Sequence, residues 1–162
     1  MISSLIFVVF AINKLIFKSQ IPRFVKVFRL ISTLGLSITF VVVMFVFVPM
    51  FPNIAEFLVF KNSNLYEHFL CPIFSVLSFV FFESETKFQK RYVFFALIPT
   101  ITYGVAIVIL NILRVVRGPY LFLSIYEVEW FVCVLFLAGI FLIAMLFSWM
   151  LVKINNKLVR KF

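Results

Sequence analysis

The sequence predicts an all-α protein, a polytopic transmembrane helical bundle with five spans. Of its 162 residues, 65% are hydrophobic and 13% are charged, whereas a soluble domain is about 25% charged. The apolar residues form long runs, not the alternating segments of about ten residues that mark a membrane β-barrel. Because backbone polar groups in a bilayer must be bonded internally, such runs predict helices. We expect one transmembrane domain over residues 1–162.

The first predicted span covers residues 2–17. Its uncharged part ends at Asn13, which makes it shorter than the ~20 residues that a span needs. Lys14 and Lys18 are long enough to snorkel from its end to the interface. No positive segment precedes it and no small-residue cleavage site follows, which argues against a signal peptide. We expect either a thin span or a helix that was once longer.

The second predicted span covers residues 30–51, after a basic connector at residues 18–29. Pro49 and Pro52 close the span, because proline cannot continue the helical hydrogen-bond ladder. One row of small residues at helical spacing predicts close approach of another helix. The row consists of Ser32, Gly35 and Thr39.

The remaining predicted spans are residues 65–82, 93–113 and 130–152. Pro99 predicts a kink in the fourth span. Tryptophans stand near both ends of the fifth span, as is typical of the membrane interface, and a basic tail follows at residues 153–162.

The basic residues predict how the chain is oriented. All but three of the 15 Lys and Arg residues lie in the connector after the first span, the loop after the third, or the tail. The positive-inside rule therefore predicts a multi-pass protein of the cell membrane with its N-terminus outside and its C-terminus in the cytoplasm. The same rule accounts for the net charge of +9 without a nucleic acid partner. We expect membrane lipids as partners, and the oligomeric state stays open.

The composition argues against a metal site and against any cofactor. The chain has one histidine, no aspartate and two cysteines, Cys71 and Cys133, too few ligands for a zinc or di-iron site. Because both thiols fall in predicted spans, we expect them to pack as small apolar groups and not to form a disulfide.

His68, the only histidine, is the candidate catalytic base. A neutral imidazole near pH 7 can take a proton from a hydroxyl. The side chains on its helical face are expected to point into the bundle, away from lipid: Cys71 or Pro72, Ser75 and Ser78. The alternative is a satisfied histidine at a helix start, hydrogen-bonded to a tyrosine or a carbonyl.

Other polar residues near the same membrane face are candidates for the site. Ser3 or Ser4 would supply a hydroxyl nucleophile. The candidate substrate-binding residues are Thr100, Tyr103 and Tyr120, and Tyr126 is a further residue that could supply a hydrogen bond.

Five stretches along nearly the whole chain carry a family resemblance: Leu36–Val42, Asn64–Pro72, Ser78–Glu83, Ile98–Gly104 and Gly118–Phe122. Their order and spacing resemble a group of small bacterial integral membrane proteins of unknown function. That group is in turn similar to the androgen-induced integral membrane hydrolases.

The resemblance implies a six-helix fold in which a membrane-embedded threonine is the nucleophile and a histidine is its partner. Such enzymes cleave lipid esters whose acyl chain carries a branching ester. His68 matches the family histidine. The threonine would fall at or before Met1, so the chain is expected to be truncated relative to the family, with Ser3 as the substitute nucleophile.

Three function hypotheses follow. The first is a lipid-ester hydrolase with His68 as base and Ser3 as nucleophile, working through an acyl-enzyme intermediate. The second is a non-catalytic membrane binding or transport subunit. The third is a structural membrane protein.

Overall fold

The computed structural model describes residues 22–61, 63–83, 86–116 and 123–159, and all regular structure in these ranges is helical. Four of the helices are long and apolar enough to cross a membrane. In chain order the helices are α1 (Arg23–Met50), α2 (Ala55–Phe60), α3 (Leu65–Phe82), α4 (Arg91–Ile112) and α5 (Trp130–Leu158). The all-α prediction is confirmed. The first predicted span lies outside the described residues, so the count of five stays a prediction.

The four long helices alternate in direction. Along α1, Lys26 contacts Thr86 and Arg29 contacts Glu83, whereas Thr33 reaches back to Ser75. The partners run backwards in sequence, so α1 and α3 are antiparallel. We call the end where α1 and α4 begin and α3 and α5 finish the basic end, and the opposite end the far end.

Two of the long helices contain π-helical turns, each beside a proline. In α1 the segment Val43–Phe47 is π-helical and Pro49 follows it, and in α3 the segment Leu65–Leu70 is π-helical and Pro72 follows it. A proline has no N–H to donate to the carbonyl four residues earlier. The preceding turn widens to i→i+5 bonding instead, as between Cys71 N–H and the carbonyl of Tyr66.

Helix α4 is interrupted near the predicted kink. It is α-helical over Arg91–Phe95 and again over Ile98–Ile112, with a turn between the two parts. Pro99 lies at the start of the second part, where its missing N–H costs little because that donor has no partner within the segment.

Two helices continue beyond the predicted spans, in both cases through charged residues. Helix α1 begins at Arg23, so much of the predicted basic connector forms the first turns of a helix. Helix α5 continues to Leu158, so much of the predicted basic tail is helical. In both places polar side chains find partners on other elements. Helix α3 covers Leu65–Phe82, the same residues as the third predicted span.

The contiguous apolar core lies in the half of the bundle nearer the basic end. Its fully buried members include Leu30 and Leu34 of α1, Phe79 of α3, Leu97 of α4 and Ala144 of α5. Even so, only 17–22% of the apolar window of each long helix is buried. The many exposed phenylalanines would be out of place in water, which is typical of a membrane protein.

The predicted row of small residues is only partly buried in α1, because Ser32 is buried whereas Gly35 is exposed. Among the described residues, and apart from the helix's own nearby backbone, no atom lies within 4 Å of where a Cβ on Gly35 would be. The buried polar face is instead made by Arg29, Thr33 and Ser37, which follow one another at four-residue spacing. Arg29 lies on this inward face, where it pairs with Glu83 immediately after the last residue of α3.

Candidate functional site

The described part of the bundle contains a buried ion pair close to its basic end. The Arg29 Nε donates to Glu83 Oε1 at 2.8 Å, and both side chains are only 2% exposed. Arg29 lies two turns into α1, and Glu83 follows the last residue of α3. Charges this well buried are tolerated when they are paired and hydrogen-bonded.

Hydroxyl groups surround the ion pair. The Arg29 Nη1 donates to Ser75 Oγ at 3.1 Å, and Ser75 Oγ lies 3.0 Å from Thr33 Oγ1. On the other side, Ser78 Oγ donates to Glu83 Oε1 at 3.2 Å. Ser75 is buried as predicted. Cys71 is exposed, and the proline beside it, Pro72, is buried.

The network joins α1 to the end of α3, and within it Ser75 is not placed as a hydroxyl nucleophile. A hydroxyl nucleophile needs a neighbouring group that can take its proton. Ser75 Oγ instead accepts a hydrogen bond from Arg29, whose guanidinium stays protonated in proteins. Within the described ranges, no three His, Cys, Asp or Glu side chains come together in a way that would hold a metal ion.

A cavity of about 180 Å³ opens at the basic end, beside the network. Its cationic side chains are Arg23 and Lys26 of α1 and Lys87 of the segment before α4. Lys26 is buried and its Nζ donates to Thr86 Oγ1 at 2.9 Å. None of the described residues that line the cavity is acidic.

Two asparagines of α5 bond to neighbouring elements, and one of them, Asn156, holds a residue of the cavity lining. Asn156 Oδ1 accepts from the Phe88 N–H at 2.7 Å, and Asn156 Nδ2 donates to the Phe88 carbonyl at 3.0 Å. The segment before α4 is thus held against the last turns of α5 at Phe88. Asn155, fully buried, donates to the Phe79 carbonyl of α3 at 3.1 Å.

No family model, curated protein or solved structure matches this chain.

His68 lies on α3 toward the far end, away from the ion pair. It is in the π-helical turn and is partly buried, and its Nδ1 is buried without a hydrogen-bond partner among the described residues. Its segment packs on α1 and α2. The ring of the next residue, Phe69, lies 5.9 Å from the ring of Phe40.

Of the other predicted site residues, those that the structure describes lie on different elements from His68. Thr100 and Tyr103 are on α4, which packs on α5, and the Tyr103 side chain is 51% exposed. Ser3 and Tyr120 lie outside the described residues. The Tyr126 hydroxyl donates to the Ile112 carbonyl at the end of α4, at 2.9 Å.

Sequence reasoning missed Arg29, Glu83 and Lys26 as members of a site. The signal was the spacing of Arg23, Lys26 and Arg29, three residues apart, which places basic groups on one helical face. When these residues are assigned to a loop, their spacing does not place them on a common face.

Proposed function

We propose that this chain is a non-catalytic membrane-embedded binding protein whose binding face is the basic end. The basic cavity close to the buried ion pair is the observation that carries the proposal. Binding sites are concave and place a few polar groups on a fixed scaffold. The cations of the cavity lie on helix α1 and on a segment that Asn156 holds by two hydrogen bonds, so their positions are set by the fold.

The distribution of basic residues indicates that the basic end faces the cytoplasm. Most basic residues of the described chain lie there, on α1, on α5 and before α4, whereas Lys61 and Arg114 lie at the far end. By the positive-inside rule, the basic end then lies on the cytoplasmic side of the cell membrane.

Thermal unfolding in detergent tests the binding proposal. Since a ligand that binds only the folded state raises its stability, a panel of anionic and neutral small molecules and lipids should include members that raise the unfolding temperature. The rise should be lost in an Arg23→Gln/Lys87→Gln variant and kept in His68→Ala. If no member raises the temperature, or if both variants lose the rise equally, the basic end is not the binding face.

A lipid-ester hydrolase is the second candidate, favoured by the buried Nδ1 of His68 without a partner. Its π-helical setting supports it too, because π-turns are frequent at functional sites. The pairing of His68 with Ser3 stays a prediction.

The rate of ester hydrolysis separates the two functions. We expect wild type and His68→Ala to hydrolyse p-nitrophenyl and branched lipid esters equally slowly in detergent. A rate that falls at least tenfold in His68→Ala would establish the hydrolase and overturn the non-catalytic proposal.

A further inference from the structure

We infer that the short helix α2 is an interfacial membrane helix, which lies between the lipid head groups and the acyl chains at the far end of the bundle. Helix α2 connects α1 to α3 and has six residues, too few to cross a membrane. Because α2 lies at the far end, the inference is independent of the function proposed for the basic end.

One face of α2 packs on the bundle. Val59 is buried on this face, and α2 contacts the π-helical turns of both α1 and α3. Asn64, immediately before α3, donates from its Nδ2 to the Phe57 carbonyl at 2.8 Å. These contacts hold the short helix against the two long helices.

The opposite face of α2 is apolar and is not covered by the described residues. It consists of Ile54, in the turn before α2, and of Phe57 and Phe60, which recur every three residues and so lie on one side of the helix. Their side chains are 47%, 48% and 60% exposed. A contiguous patch of large exposed apolar groups marks a surface that contacts a membrane or another protein.

The neighbouring surface of α1 favours lipid as the partner of this face. Phe45 lies in the π-helical turn of α1 and is 70% exposed, on a helix long and apolar enough to cross a membrane. Helix α2 contacts that same turn. The exposed phenylalanines of α2 therefore continue an apolar surface that belongs to a membrane-crossing helix, and one layer of lipid covers both.

Polar groups of α2 limit how deeply it enters the membrane. Glu56 is the only charged residue in the segment 50–60, and its side chain is exposed. A short helix also has backbone groups at both ends that cannot be bonded within it, and a position at the hydrated interface gives them water or head groups as partners. The apolar face of an interfacial helix enters the bilayer by about 5–10 Å, which places Phe57 among the acyl chains and Glu56 among the head groups.

The depth of spin labels measured by electron paramagnetic resonance tests the inference. Oxygen concentrates among acyl chains and a nickel chelate stays in water, so the ratio of their collision rates with a label reports its depth. The full chain carries Cys71→Ala and Cys133→Ala, which remove the native thiols, and is placed in phosphatidylcholine nanodiscs. The test variants are Phe57→Cys and Phe60→Cys, each spin-labelled.

Three control positions calibrate the ratio. Leu135→Cys reports acyl chains, because Leu135 lies within the apolar part of α5 and is 66% exposed. Glu127→Cys, exposed before α5, reports water at the same end. Glu56→Cys is the matched control, since it lies beside Phe57 on the same helix.

We expect the ratio of oxygen to nickel collisions at Phe57 and Phe60 to be several-fold above that at Glu127 and close to that at Leu135. The ratio at Glu56 should stay near that at Glu127. All labelled side chains are exposed, so these variants should fold, which circular dichroism checks. Wild type gives a second measurement, because phosphatidylcholine with a diazirine in its acyl chain should attach to residues 54–60 on illumination.

Four outcomes overturn the inference. Ratios at Phe57 and Phe60 equal to that at Glu127 would place α2 in water. Labels at these positions that neither reagent reaches would show that protein covers the face, and a disulfide between chains through Phe57→Cys would identify a second copy. A ratio at Glu56 as high as that at Leu135 would place the whole helix among the acyl chains. Photolabelling of α5 in wild type without labelling of residues 54–60 would exclude lipid contact at α2.

Discussion

Replacing Arg29 by methionine should destabilise the bundle more than any loss of an exposed cation. The substitution keeps an unbranched side chain but leaves the carboxylate of Glu83, 2% exposed, without the guanidinium that contacts it at 2.8 Å. Removing one partner of a buried pair costs about 3–5 kcal/mol. The hydrogen bond to Ser75 Oγ is lost as well. We expect the free energy of unfolding to fall by about 4 kcal/mol, within that range.

The measurement is the unfolding of the protein in mixed micelles as the mole fraction of SDS is raised, followed by circular dichroism. Arg91→Met is the matched control. Arg91 is exposed, and its guanidinium carbon lies over the Tyr92 ring, 5.4 Å from the ring centre. Its loss should cost about 0–1 kcal/mol.

A double-mutant cycle separates the ion pair from general loss of packing. Glu83→Gln keeps the shape of the side chain and should cost about 3 kcal/mol, because Arg29 then remains charged and buried. The double variant Arg29→Met/Glu83→Gln has no charge at this position. Its cost should fall below the sum of the single costs by about 2 kcal/mol.

Two results would refute this reasoning. One is an Arg29→Met variant no less stable than Arg91→Met, which would mean that the guanidinium does not hold α1 against α3. The other is additivity of the two single costs, which would mean that the two groups do not interact in the folded bundle.

Three further changes test other contacts. Asn156→Ala should cost about 1–3 kcal/mol and speed hydrogen exchange at the Phe88 amide, and unchanged exchange would show that the clamp does not form. Gly35→Ala should leave the free energy of unfolding unchanged or raise it by up to about 1 kcal/mol, since the position is open; a clear loss would place a packing partner there. Ser148→Ala, which removes a buried hydrogen bond of 2.9 Å to a carbonyl of α4, should cost about 1 kcal/mol. The exposed Ser63→Ala should cost nothing measurable, and equal costs would contradict the role of that bond.

The sequence alone determined the fold class and the apolar extent of the long helices. Hydropathy is a local property, and a run such as residues 65–82 has one solution in a bilayer, a helix with its backbone bonds made internally. The bounds of α3 could therefore be predicted without knowledge of the rest of the chain. The basic clusters that predict orientation are equally local.

Only the tertiary structure decided where the charged residues belong. Arg29 looks like part of a loop because a charge is costly inside a membrane helix, and its partner Glu83 is 54 residues away. The pairing offsets that cost, extends α1 through the basic segment, and turns Thr33 inward in place of Gly35. Which face of α1 turns inward depends on contacts between residues that are far apart in the sequence. The spacing of neighbouring residues does not contain this information.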